Sequence, residues 1–332
     1  MPVRGGLASA PDPARRRESI VSATATATVA QRADAVPRRP AKARRGHARI
    51  GWLMLAPAGI LIITFLLIPI ALTFVLAFTN ARLISPEPAR FIGLDNFARL
   101  VDSSTFWSSL RNTIIFAVII VPCQSAFALV LAILVNAKMR GTNFFRTVYF
   151  LPVVTSMVVV SMLWMFMYQP NGLVNVTLAK FGIAGPDWLG DPKTALFALI
   201  VMSAWQAVGF HMVIWLSGLQ TIPGDLYEAA SLDGANKWQQ FAHVTWPGLR
   251  QTRTFILITI TIAAFSLFTQ VNIMTQGGPL DATSTVVFMA VRTGFQQQQT
   301  GYAAAISLVF FLLVLAVNLV QRFLTRDKDL RK

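Results

Sequence analysis

The acidic side chains of this 332-residue chain lie outside all of its long apolar stretches. Its 14 Asp and Glu residues fall in the polar segments between those stretches or near the chain ends. Paired carboxylates carry out general acid–base chemistry, and carriers driven by protons or sodium ions use a carboxylate near the middle of the membrane. The sequence therefore argues against carboxylate catalysis and weakens the interpretation as an ion-coupled secondary transporter.

Other residues that could do chemistry are too few or too far apart. His47, His211 and His243 have no metal-ligand spacing, and the single Cys123 lies in an apolar run. The sequence contains no HExxH motif, no Gly-rich phosphate loop and no Ser/His/Asp set. We therefore predict a protein that is not an enzyme, has no catalytic residues, binds no metal and uses no cofactor of its own.

Uncharged polar side chains are concentrated in the last three apolar stretches. Hydroxyl and amide groups suit an uncharged, hydroxyl-rich solute, and aromatic rings can stack on the face of a sugar. The same polar groups commonly hydrogen-bond neighbouring helices inside a membrane, so the sequence leaves both roles open. The candidate solute-pathway residues are Trp205, Gln206, Phe210, Ser266, Gln270 and Asn272.

The apolar stretches predict an all-α, polytopic membrane protein. Hydrophobic residues make up 55% of the chain, charged residues only 13%, and the mean hydropathy is +0.57. A soluble domain has about 25% charged residues, and a membrane-spanning helix needs about 20 apolar residues. Six stretches meet that requirement, at residues 51–78, 112–135, 148–168, 195–219, 255–274 and 303–320.

Charge placement predicts the orientation of these spans and the domain limits. Residues 1–49 carry 11 Lys and Arg against 3 Asp and Glu, a balance of +8, and read as a disordered basic tail. Basic residues also dominate alternate loops and the C-terminal tail, 326–332, which places both termini in the cytoplasm. We expect the basic tail of residues 1–49 to contact membrane lipid rather than nucleic acid. Residues 50–325 are predicted to form the transmembrane domain.

One polar segment separates the fourth and fifth spans on the predicted inner side. Leu226 to Leu232 is rich in helix formers, and the turn dipeptide Asp233-Gly234 follows it. Ala235 to Val244 reads as a second short helix, which we expect Pro247-Gly248 to break. The segment is therefore predicted to be a helix–turn–helix at the membrane surface.

The pattern EAA-x3-G-x9-V-x-W-P between Glu228 and Pro247 resembles the EAA loop of binding-protein-dependent ABC importer permeases. The family form has Leu where this chain has Trp246. The resemblance implies a coupling loop, residues 222–252, that docks on a separate ATPase. The residues implied in coupling are Glu228, Ala229, Ala230, Asp233, Gly234, Val244 and Pro247.

Further motifs resemble the carbohydrate branch of this family, the maltose/glycerol-phosphate-type sugar permeases. They are FIGLDNF from Phe91, QGGPLDAT from Gln276 and GYAAAIS from Gly301. FIGLDNF favours the first permease type of the usual pair. The resemblance implies the type I ABC importer permease fold in the bacterial inner membrane. It also implies three kinds of partner: a second homologous permease, a cytoplasmic ABC ATPase dimer and an extracytoplasmic solute-binding protein.

The expected function is therefore sugar import driven by ATP that the partner hydrolyses. One alternative keeps the fold and imports another small polar solute, such as glycerol phosphate or a polyamine. A phosphate ester would favour arginine in the spans and a polyamine would favour acids, and the predicted spans supply neither. The alternative from another class is an ion-coupled secondary transporter.

Overall fold

The computed structural model describes residues 41–85, 88–137 and 141–325. Across these ranges the regular secondary structure is helical, apart from one isolated bridge between Thr79 and Phe91. The predicted tail reaches into the first helix, which begins at Ala41; residues 1–40 and 326–332 lie outside the described part.

The first membrane-length helix contains a wider turn next to a proline. Helix α1 (Ala41–Ile62) passes through a π turn (Ile63–Leu67) into α2 (Ile68–Leu76). Pro69 has no backbone N–H and cannot complete a regular helical ladder, which favours a local change of register. The apolar part, Trp52–Leu76, is 25 residues long, enough to cross a bilayer.

The compact unit from Pro69 onward holds every site described below. Its longest helix, α4, packs mainly against α8 and α12, and α15 packs against α12 and α14. Apolar clusters around Phe116 and Trp215 fill the space between these helices. The helices are α3 (Asp95–Val101), α4 (Ser104–Asn136), α5 (Thr142–Val154), α6 (Met157–Met167), α7 (Leu173–Lys180), α8 (Ala195–Gln220), α9 (Gly224–Leu232), α10 (Lys237–Gln240), α11 (Trp246–Gly248), α12 (Arg250–Phe265), α13 (Thr269–Met274), α14 (Val286–Val291) and α15 (Thr300–Thr325).

The third predicted span is bent rather than straight. Five helices in the described ranges are long and apolar enough to cross a membrane, and Phe144–Val154 with Met157–Met167, bent by 99°, brings the number to six if the pair counts as one span. The all-α membrane fold with five or six spans is therefore confirmed, and the third predicted span is the one that differs. The break follows Pro152, and Thr155 takes an extended ψ of 141° that ends α5.

The second short helix of the coupling loop runs past Val244 and ends at Gly248, where the sequence predicts a break at Pro247-Gly248. Helix α10 continues through a π turn (Phe241–Thr245) into α11, and Pro247 occupies the first turn of α11. The π turn that precedes Pro247 accommodates a residue that cannot donate a backbone hydrogen bond. Leu249, with φ −84° and ψ 7°, then separates α11 from α12.

Candidate functional site

A cavity of about 370 Å³ opens where α4, α6, α8, α12 and α13 meet; we call it the central cavity. Apolar side chains such as Phe116 and Ile260 form part of its wall. Within the described part of the chain, its lining includes no Asp, Glu, Lys or Arg. The polar lining residues are Gln124, Ser203, Gln206, His211, Ser266, Thr269 and Gln270.

Two helix breaks shape the central cavity. The bend between α5 and α6 places Met157 at its edge, and the irregular link between α12 and α13 contributes Ser266 and Leu267. Irregular backbone at membrane depth is tolerated where it is buried in protein or lines a cavity. Both breaks thus occur where the membrane environment allows them.

Gln124 and His211 form a buried polar pair on one wall of this cavity. The Gln124 amide nitrogen lies 3.0 Å from His211 Nδ1, which also lies 3.0 Å from the carbonyl oxygen of Ala207. One ring nitrogen either donates or accepts, so the tautomer of His211 and the orientation of the Gln124 amide depend on each other. The pair presents a hydrogen-bonding surface without a fixed charge.

The structure brings together three of the six candidate pathway residues. Gln206, Ser266 and Gln270 line the central cavity. Asn272 lies two residues beyond Gln270 in α13 and lines a different cavity.

Trp205 and Phe210 lie elsewhere. They are 42% and 45% exposed, and Trp205 packs on Trp164 with ring centroids 5.5 Å apart. Neither ring is part of the cavity lining, so the structure does not place either one where it could stack on a solute in the central cavity.

Four polar residues of the cavity lining are not in the candidate set predicted from the sequence, namely Gln124, Ser203, His211 and Thr269. Ser203, Ala207 and His211 repeat every four residues and therefore share one face of α8. That spacing could have identified the cavity face of α8. It also separates this face from Trp205, which lies on the opposite side of the helix.

The coupling loop folds as two short helices joined at a glycine. Gly234 has φ +80°, a left-handed conformation that favours glycine, and no side-chain atom would obstruct a Cβ there. Asn236 caps α10 through a reciprocal capping box with Gln239. The turn angle is therefore set by local chemistry that the sequence already contains.

Side-chain hydrogen bonds tie the two short helices to each other. The hydroxyls of Tyr227 and Thr245 lie 3.0 Å apart, and the Gln240 amide donates to Ser231 Oγ at 2.9 Å. These bonds leave the outward side of the loop open. Of the residues implied in coupling, Ala230 and Val244 are half-buried and the rest are exposed, namely Glu228, Ala229, Asp233, Gly234 and Pro247.

The loop is also anchored to the transmembrane bundle. Leu249 is fully buried in the apolar cluster around Trp215. Gly248 lies against Ile222, where an added Cβ would come within 3.0 Å of the Ile222 side chain. Arg253, in the first turn of α12, lies over the ring of Trp246. The loop and α12 are therefore joined by packed side chains as well as by the backbone.

Residues 124–329 match the family described as binding-protein-dependent transport system inner membrane component. A probable ABC transporter permease protein of Bacillus subtilis (strain 168), YurN, is 38% identical over 84% of this chain and 97% of its own length. The lactose transport system permease protein LacF of Rhizobium radiobacter is 37% identical over 84% of this chain and 94% of its own.

A solved structure has the same fold. It is a bacterial ABC transporter involved in the import of the acidic polysaccharide alginate, and one of its chains matches with a TM-score of 0.74 at 23% identity. The match covers 86% of this chain and 97% of that chain. The cavity between broken helices and the EAA loop are consistent with these similarities in sequence and fold. The chain belongs to the family of binding-protein-dependent transport system inner membrane components.

Proposed function

We propose that this chain is one of two homologous membrane subunits of an ATP-driven sugar importer. The observation that carries the proposal is the central cavity, whose polar lining consists of uncharged amide, hydroxyl and imidazole groups. A sugar offers hydroxyls that both donate and accept hydrogen bonds, and amides such as Gln206 and Gln270 do the same. Apolar neighbours such as Phe116 can cover the C–H faces of a sugar ring.

Relatives support the solute class. LacF of Rhizobium radiobacter is a lactose transport system permease. At 31% identity, MalF of Thermococcus litoralis is a trehalose/maltose transport system permease. At 32% identity, NgcF of Streptomyces coelicolor is a diacetylchitobiose uptake system permease. These solutes are all small saccharides, which suits a cavity of about 370 Å³.

The coupling loop is the proposed point where a separate ABC ATPase dimer acts on this chain. Glu228 is exposed and offers a charge to a basic partner, while Leu232 and Trp238 are 89% and 75% exposed and offer apolar contact. The side-chain hydrogen bonds between α9 and the helices that follow it make the loop move as one body. Movement imposed on the loop would then reach α12 through Leu249 and Arg253.

The proposed arrangement puts the coupling loop, the basic tail of residues 1–49 and the C-terminal tail of residues 326–332 in the cytoplasm. The excess of Lys and Arg near those segments supports this orientation. An extracytoplasmic solute-binding protein would then deliver sugar to the opposite face. The second permease would complete the pathway, and ATP would be hydrolysed only by the ATPase.

Two other functions make different predictions. A polyamine or glycerol phosphate would favour a charged group of opposite sign in the central cavity, and the described lining carries none. An ion-coupled carrier would favour a carboxylate at that depth. The sugar importer is the function that an uncharged polar lining fits best.

The experiment is uptake by proteoliposomes that contain this chain, the second permease and the ATPase, with the binding protein outside and ATP inside. Radiolabelled lactose, maltose, trehalose and diacetylchitobiose are tested in turn. We expect uptake of at least one sugar that requires both ATP and the binding protein. Uptake by this chain alone under an ion gradient, or ATP-driven uptake of glycerol phosphate or a polyamine but of none of the sugars, would overturn the proposal.

A further inference from the structure

A second polar cavity, of about 570 Å³, is lined in part by α6 and α13, two helices that also line the central cavity. Met157 of α6 and Gln270 of α13 line the central cavity, whereas Met162 of α6 and Asn272 of α13 line the second one. The two cavities therefore share α6 and α13, but Gln270 and Asn272 are two residues apart and lie on different faces of α13. We call the second one the Arg292 cavity; it is lined by Met162, Met165, Asn272, Ile273, Gln276, Phe288, Arg292 and Gln296.

Arg292 also borders a third polar space, a surface cavity of about 600 Å³ that it shares with Arg99 and Tyr302. One guanidinium group therefore lies between the surface cavity and the Arg292 cavity. Arg292 begins a π turn (Arg292–Gln296), a form that occurs often at functional sites.

The position of Arg292 is set by an ion pair with a well-held loop. Its Nη1 lies 3.4 Å from Asp281 Oδ1. The Asn112 amide donates to the Asp281 carbonyl oxygen at 2.9 Å and to the Ser284 carbonyl oxygen at 3.1 Å. Ser109 and Ser284 hydroxyls lie 2.9 Å apart. The loop that holds Asp281 is thus fastened to α4.

The chemistry of the Arg292 cavity suits a polyhydroxylated, uncharged solute. A guanidinium has five N–H donors in a fixed fork, and the bond to Asp281 engages one nitrogen of Arg292. The amides of Asn272, Gln276 and Gln296 both donate and accept. The Asp281 carboxylate beside Arg292 already balances the positive charge, so a carboxylate or phosphate on the solute would meet a like charge.

We propose that the Arg292 cavity is a second site for the transported sugar, on the outer side of the central cavity, and that Arg292 is its principal binding residue. Sugar reaching the surface cavity would bind Arg292 first and then move along α6 and α13 to Gln270. This inference rests on the proposed function, because it uses the same solute and the same direction of transport.

The test is cysteine protection in the complete transporter, reconstituted with its second permease, ATPase and binding protein. Cys123 is exposed and is first replaced by Ser, so that each reporter is the single thiol of this chain. Gln296→Cys reports on the Arg292 cavity and Ser266→Cys on the central cavity. Leu280→Cys, at a position that is 91% exposed, serves as the reporter outside both.

The rate of labelling by a membrane-impermeant thiol reagent is measured once in the presence of sugar-free binding protein and once in the presence of sugar-loaded binding protein. The sugar is the one that the uptake experiment identifies. Comparing the two forms separates the effect of the sugar from the effect of the docked protein. We expect sugar to slow labelling at Gln296→Cys and Ser266→Cys and to leave Leu280→Cys unchanged. Adding Arg292→Gln should weaken protection at Gln296→Cys by about 10-fold or more, because a hydrogen bond to a charged donor is lost.

Protection at Ser266→Cys alone would overturn the second site while leaving the proposed function intact. Absence of protection at both positions, together with absence of ATP-dependent uptake, would instead count against the proposed function. Arg292→Lys keeps the charge and should retain part of the protection. If Arg292→Gln prevents assembly of the complex, Arg292→Lys and Asp281→Asn are tested in its place. Unchanged protection of Gln296→Cys in both variants would reject Arg292 as the principal binding residue.

Discussion

The guanidinium of Arg253 lies over the ring of Trp246, 4.4 Å from its centroid. Trp246 also packs against Phe241, with ring centroids 6.1 Å apart. Trp246 is the one position where the EAA motif of this chain departs clearly from the usual Leu. The larger ring therefore has a partner of its own, and that partner belongs to the first turn of α12. Through this stack the coupling loop holds the end of a transmembrane helix.

Removing either partner of this stack should loosen the attachment of the ATPase. A cation–π contact at an exposed site is worth about 0.5–1 kcal/mol, which corresponds to a change of about 2- to 5-fold in affinity. We expect Trp246→Leu and Arg253→Gln each to weaken ATPase binding by this amount, measured by titrating the ATPase onto the permease pair in nanodiscs. The double variant should bind the ATPase no more weakly than the weaker-binding of the two single variants.

Lys237→Gln is the matched control for Arg253→Gln, because it removes a positive charge from the same loop without touching the stack. An equal loss of affinity in Lys237→Gln would mean that charge rather than ring contact explains the effect. Fully additive losses in the Trp246 and Arg253 variants would show that the two side chains act separately.

Gly234→Val should disrupt coupling without preventing membrane insertion. The left-handed φ of +80° costs a residue with a side chain about 1–2 kcal/mol, and a β-branched residue more, so we expect ATPase binding to fall about 5- to 30-fold. Gly224→Ala is the control, since Gly224 is helical and an added Cβ there meets no atom within 4 Å. Normal ATPase binding by Gly234→Val would contradict a role for the fixed turn.

Glu228→Lys tests the charge of the coupling loop separately from its shape. Glu228 is exposed, so the reversal should leave the fold of the loop intact while placing a positive charge where a basic partner is expected. We expect ATP-dependent uptake to fall by about 10-fold or more, because like-charge contacts at an interface cost several kcal/mol. Glu228→Gln should have a smaller effect. Full uptake and full ATPase binding by Glu228→Lys would remove this residue from the coupling role.

Gln270→Leu should lower sugar uptake while leaving the complex assembled. The loss of one neutral hydrogen bond is worth about 0.5–1.5 kcal/mol, which predicts a fall of about 2- to 12-fold in uptake at limiting sugar. Phe210→Leu is the comparison, because Phe210 does not line the central cavity. A larger defect in Phe210→Leu than in Gln270→Leu would place the solute pathway outside the central cavity.

Gly209→Ala should weaken the packing of the bent span. A Cβ at Gly209 would overlap the carbonyl oxygen of Tyr149 in α5, which is backbone and cannot turn aside. Overpacking of this kind costs about 1–3 kcal/mol, so we expect the complex to lose its native elution volume at a lower temperature. Val213→Leu, which adds bulk at a 40% exposed position of the same helix, should not do so. Equal thermal loss in both variants would contradict the close approach of α5 and α8.

Sequence reasoning succeeded where the signal is local. Span length and apolar content located the membrane helices, and the Asp233-Gly234 dipeptide located a turn whose Gly234 has φ +80°. These features depend on a few neighbouring residues, so composition and turn chemistry are enough to find them.

The remaining features depend on contacts between distant parts of the chain. Gly209 allows α5 to lie close against α8, and the cavity face of α8 follows from where α4 and α12 lie. Arg292 borders its cavity together with side chains of α6 and forms an ion pair with Asp281. Residue type and spacing alone do not encode these positions.

The bend between α5 and α6 also bears on how a sugar would be held. Backbone carbonyls freed at such a break need hydrogen-bond donors, and the Gln206 amide donates to the Pro152 carbonyl oxygen at 3.4 Å. A sugar that displaces the Gln206 amide from the Pro152 carbonyl oxygen must donate a hydroxyl hydrogen to that oxygen in its place. Binding would then be an exchange of partners in which the number of hydrogen bonds is conserved. Such an exchange favours moderate affinity and rapid release, as a site that must empty in every cycle requires.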